Sequence, residues 1–81
     1  MDDAELFRRI DELVAEEHQL EGTAAPGRPL AEDQAARLAQ LEVALDQCWD
    51  LLRQRRARRN AGLDPDDANV RPAAVVENYQ Q

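Results

Sequence analysis

The chain has 81 residues, a net charge of −7 and only three aromatic side chains, Phe7, Trp49 and Tyr79. That length admits one small domain, and so lean an apolar content leaves a monomeric core short of material, so oligomerisation is expected. The single Cys48 excludes an intrachain disulfide, and no apolar run approaches the roughly 20 residues of a membrane span.

Residues 3 to 21 read as an amphipathic helix. Leu6, Ile10, Leu13 and Leu20 follow spacings of three and four, and Phe7 and Val14 widen the stripe on one side. Asp2 or Asp3 suits the cap, and the early acids suit the positive end of the helix dipole. Gly22 is a stop signal, and the segment from Gly22 to Pro29, with two glycines and two prolines, is a loop. A second helix is expected over 31–60. Leu38, Leu41, Leu45, Cys48 and Leu52 repeat at three, four, three and four, a short heptad seam of coiled-coil type. Trp49 and Leu51 broaden its apolar face. Beyond Leu52 the seam positions become Arg55 and Arg59, and Ala61-Gly62 ends the helix.

The remaining residues, 63–81, read as a short helical tail. Asp64-Pro65-Asp66-Asp67 has a cap, a proline for the first helical position and acids for the first turn. Pro72 then opens a second short helix carrying Val75, Val76 and Tyr79. Neither piece is long enough to hold alone in water, so each needs something to dock on.

Two helices joined by a short loop pack antiparallel. The expected fold is therefore all-α: a two-helix hairpin over 1–62 with a docked tail, dimerising into a helical bundle. Leu13 falls level with Leu41, and Leu6 with Cys48. Phe7, Leu45, Trp49 and Leu52 are the expected core or dimer contacts. The second helix is longer by about two turns, so its arginine end should project past the first helix. The tail is expected to cover that overhang near Leu52, in cis or in trans.

The stretches IDELVAEEHQL (Ile10 to Leu20), LDQCWDLLRQRRARR (Leu45 to Arg59) and DPDDANVRPAAVVENY (Asp64 to Tyr79) together resemble a family of short actinobacterial proteins known only as a domain of unknown function. The resemblance spans both helices and the tail and departs mainly in the loop. It implies a small cytosolic helical protein and brings no activity, ligand or site residue.

The strongest local signal is the run Arg53, Arg55, Arg56, Arg58 and Arg59. All ten basic residues of the chain are arginines, and residues 53–59 carry +5 in a chain otherwise acidic. Cations belong at a helix C-terminus, where they pair with acids of the same or a neighbouring chain. Projecting arginines would also suit an acidic protein partner or, less well, nucleic-acid phosphates. No aromatic interleaves the run to stack on bases.

Catalytic chemistry finds no footing. The hairpin register sets His18 far from Cys48, so no thiol–imidazole pair forms within a chain. His18 with Glu17 and Glu21 lacks the second histidine and the preceding glutamate of a bundle metal site, so no metal or other cofactor is expected. DPDD lacks the alternating ligands of a calcium loop. The expected function is a non-enzymatic helical interaction or adaptor protein, homodimeric, cytoplasmic and off the membrane. It would bind another protein through its helical surface and its arginine-rich helix end. The alternative is a nucleic-acid-associated regulator touching phosphates through Arg53–Arg59.

Overall fold

The computed structural model describes residues 1–79, with side chains described through residue 77. It is all-helical: α1 (Asp3–Glu21), α2 (Glu32–Asn60), a 3₁₀ turn at Pro65–Asp67 and α3 (Ala73–Tyr79). Each boundary has a local cause. Asp2 caps α1, its Oδ1 accepting from the Glu5 amide at 2.8 Å. The loop turns at Ala25-Pro26-Gly27-Arg28, closed by two backbone hydrogen bonds between Ala25 and Arg28. Proline presets the second position of that turn, and Gly27, at φ +76°, supplies the left-handed third. At the start of α2 the Ala31 amide donates to Gln34 Oε1 at 3.0 Å. Its C-terminus is a Schellman motif. Gly62 sits at φ +74°, the Leu63 amide donates to the Arg58 carbonyl at 2.8 Å, and the Gly62 amide to that of Arg59 at 3.1 Å.

The helices form the expected antiparallel hairpin. Leu6, Ile10 and Leu13 of α1 bury against Leu41, Leu45, Leu51 and Leu52 of α2, with Cys48 and Val14 partly buried at the margin. The tail then returns along α2, and Val76 of α3 is buried. Among the described residues, α1, the 3₁₀ turn and α3 each pack on α2, and neither the 3₁₀ turn nor α3 packs on α1. The molecule measures 53 × 27 × 16 Å. Both α1 and the tail elements pack on α2, which therefore lies in the middle.

Two expectations need correction. Arg55 does not project into solvent: it is 5% exposed, a core residue in all but chemistry. The valines do not cover the overhang near Leu52. The 3₁₀ turn lies there, beside Arg55, while α3 sits further back, where Glu77 faces Asp46. Of the expected tail contacts, Val76 is buried and Val75 exposed; the side chain of Tyr79 lies outside the described residues. Of the expected core or dimer contacts, Leu45 and Leu52 lie in the core of the single chain, while Phe7 and Trp49 are half-exposed and so placed where a dimer contact would need them.

Candidate interaction surface

Two charged clusters fix the tail and decide what surface is left. At the arginine end, Arg55 Nε donates to Asp3 Oδ1 at 2.6 Å, and Arg55 Nη1 donates to Asp66 Oδ1 at 3.0 Å and to the Pro65 carbonyl at 3.1 Å. Arg59 Nη2 takes the other oxygen of Asp3 at 2.6 Å. One guanidinium thus joins the start of α1, the end of α2 and the 3₁₀ turn. The hydrogen bond from Arg55 holds the Asp3 carboxyl below its ordinary range, with Arg59 adding to it, and Asp3 and Asp66 in turn push the Arg55 guanidinium up.

Further back, Asp50 is buried at 1% exposure in the middle of α2. Its carboxylate accepts from both Nε and Nη2 of Arg71, the former at 2.9 Å, and from Gln54 Nε2 at 2.9 Å. The paired hydrogen bonds from Arg71 lower its pKa, against the opposing effect of burial. Gln54 also donates to the Asn69 carbonyl at 2.9 Å, and Gln47 to that of Arg71 at 3.2 Å. Backbone carbonyls of the irregular 69–71 segment therefore find partners on α2, which an irregular segment laid against a helix requires. No buried side-chain polar atom among the described residues lacks a partner.

The sequence reading missed Asp50, Gln54 and Arg71. An acid set between Trp49 and Leu51 in an apolar stretch, with an amide four residues on and an arginine before Pro72, was the available signal. Of the five arginines singled out, Arg55 and Arg59 are held within the chain. Arg53 reaches only the edge of Asp50, at 3.9 Å. Arg56 and Arg58 make no ion pair among the described residues, and Arg56 is exposed.

Between α1, α2 and residue 70 lies a cleft of about 190 Å³, lined by Leu6, Arg9, Ala44, Cys48, Leu51 and Val70 among others. That is below the about 300–1,000 Å³ of a small-molecule pocket. Burial raises the Cys48 thiol pKa, so it is a poorer nucleophile than a free cysteine. His18 is exposed on α1. The described residues contain no group of three or more side chains suited to a metal, and no helix among them is long and apolar enough to cross a membrane.

No described residue covers the broad face opposite the cleft. At about 100° per residue, α2 turns Leu41, Leu45 and Leu52 to α1 and Gln47, Asp50 and Gln54 to the tail, which leaves Glu42, Trp49, Arg53 and Arg56 on a third side. Phe7 falls on the same flank, across the Leu6–Ile10–Leu13 stripe from the cleft-lining Arg9. Trp49 is 42% and Phe7 45% exposed.

The fold and these clusters define a small helical protein, a hairpin clamped to its own tail by two arginine–aspartate clusters. The chain belongs to the family described as protein of unknown function (DUF2630), whose model matches residues 2–81. It is 48% identical over 77 residues to uncharacterized protein Rv0898c of Mycobacterium tuberculosis, covering 95% of this chain and 88% of that one. Uncharacterized protein Mb0922c of Mycobacterium bovis matches to the same extent. No solved structure matches the chain.

Proposed function

We propose that the chain is a non-enzymatic helical interaction protein of the cytoplasm, acting through the third side of α2. The observation that carries this reading is the pair of half-exposed aromatics, Trp49 and Phe7, on a broad face that the described part of the tail does not cover. Protein-binding surfaces are enriched in aromatics and arginine, and here Arg53 and Arg56 flank the tryptophan. The internal use of Arg55 and Arg59 narrows the arginine-rich end to Arg53, Arg56 and Arg58. Three cations on a chain of net charge −7 favour a protein partner over nucleic acid.

A photo-crosslinking test addresses this directly. Trp49→p-benzoylphenylalanine should yield protein adducts in cells, whereas the same probe at the exposed outer-edge position Ala15 should yield few. Equal yields at the two positions, no adducts, or adducts mainly to nucleic acid would overturn the reading.

A further inference from the structure

The third side of α2 carries a pattern of its own. Glu42, Asp46, Trp49, Arg53, Arg56 and Asn60 are spaced four, three, four, three and four, a second heptad-like band beside the one that faces α1. Charge along this band reverses about Trp49. Glu42 lies seven residues before the tryptophan and Arg56 seven after it; Asp46 lies three before and Arg53 four after.

These charges are little used within the chain. Glu42 and Arg56 are exposed and make no ion pair among the described residues. Arg53 approaches Asp50 only at 3.9 Å, and Asp50 is already held by Arg71. Asp46 shares a hydrogen bond with another acid, Glu77, whose pKa is raised by it, and neither of the two is in an ion pair among the described residues. One end of the band thus lacks positive charge and the other lacks negative charge.

We propose that a second copy of the chain docks on this band, α2 against α2 in antiparallel order about Trp49, with Glu42 of each copy facing Arg56 of the other and Asp46 facing Arg53. The inference rests on reading this face as a protein-binding surface and names its occupant. An antiparallel two-fold pair sets positions equidistant from the axis opposite one another, so Glu42 falls opposite Arg56 and Asp46 within one residue of Arg53, each contact occurs twice, and the two tryptophans meet at the centre. Parallel pairing would set Glu42 on Glu42 and Arg56 on Arg56. A uniformly acidic helix would satisfy the arginine half and be repelled by Glu42 and Asp46. Self-pairing in antiparallel order answers both halves of the band, which neither of those arrangements does.

The test is a charge-reversal cycle on the purified full chain, read by sedimentation velocity over a concentration series. Glu42→Arg and Arg56→Glu replace exposed residues by other good helix formers, and circular dichroism should show each variant as helical as the parent. The parent should dimerise at micromolar concentration. Each single reversal turns two attractive pairs into two repulsive ones and should raise the dissociation constant about tenfold or more. An equimolar mixture of the two singly reversed chains should regain dimer, because the Glu42→Arg side chain of one then meets the Arg56→Glu side chain of the other, and the double reversal in one chain should also regain it. A parent monomeric throughout, a dimer indifferent to the reversals, or a mixture that fails to recover would overturn the proposal. A monomeric parent whose position 49 still crosslinks to other proteins would overturn self-docking and leave the interaction reading standing. No dimer and no crosslink would remove both.

Discussion

Removing Arg71 is the sharpest way to test what holds the tail. Arg71→Ala takes away the guanidinium that donates twice to Asp50 and leaves a carboxylate at 1% exposure with Gln54 as its remaining close donor. Breaking a fully buried ion pair costs about 3–5 kcal/mol. The Arg71 side chain is itself 38% exposed, so water can take up part of its role. The lower figure for an orphaned buried polar group, about 1–3 kcal/mol, is the better guide. In a chain of this size each kcal/mol moves Tm by about 4–8 °C, so a fall of roughly 5–20 °C is expected by thermal circular dichroism. A double-mutant cycle with Asp50→Asn separates the Asp50 contact from anything else the arginine touches, since a neutral amide needs no cation. The cost of Arg71→Ala should shrink by about 1 kcal/mol or more in the Asp50→Asn background. The folded-state pKa of Asp50 is lowered, so its contribution is complete at neutral pH and is lost as pH falls below about 4 and through the folded value. The parent should therefore lose stability more steeply in acid than Asp50→Asn does. Additive single costs, or an Arg71→Ala chain as stable as the parent, would refute the reasoning.

Leu41, fully buried, should cost about 2–5 kcal/mol when truncated to alanine, whereas Phe7→Ala should cost under about 1 kcal/mol in the monomer; urea denaturation at low concentration separates the two. At concentrations where the chain is monomeric, Arg55→Gln should lower Tm because Asp3 and Asp66 lose their common partner, while Arg56→Gln should leave Tm unchanged; equal effects would mean that the buried guanidinium holds nothing together. Glu77→Gln should raise Tm slightly at pH 7. The neighbouring Asp46 raises the Glu77 pKa in the folded state, so the group favours folding at low pH and loses that contribution as pH rises through the folded value; the gain from Glu77→Gln should vanish below about pH 4.

Much of the architecture was legible because its causes are local. The 4–3 spacing of Leu41, Leu45, Cys48 and Leu52, the Asp2 cap, the Pro26-Gly27 turn and the Gly62 stop each act within a few residues, and together they define the hairpin. The level of Leu6 with Cys48 follows from loop length, and both residues line the same cleft. The two charged clusters follow from nothing local. Pattern reading assigns an arginine on a polar helix end to solvent. Arg55 is buried only because the chain turns at Gly62 and brings Pro65 and Asp66 back over it. Asp50 likewise depends on where the 69–71 segment lies. The third side of α2 could have been found earlier, since Glu42, Asp46, Trp49, Arg53 and Arg56 share the heptad spacing of the leucine seam. A band mixing acids, bases and one tryptophan does not register as an interface until its neighbours are known to be elsewhere.

The lean composition first suggested that this chain could not close a core without help, and the help it has is polar. Hydrophobic burial fixes α1 against α2 but says little about where a short, weakly helical tail should rest. The Asp3–Arg55–Asp66 and Asp50–Arg71 clusters supply that choice, because a slip of the tail by one position would leave a buried charge unpaired. Their cost is that the tail can lie on one side of α2 only. With α1 on a second side, the third stays open, and the exposed aromatics fall there. Clamping the tail and presenting Trp49 are thus two consequences of one arrangement. A change that loosened either cluster would let the tail move and alter the surroundings of the open side without touching a residue on it.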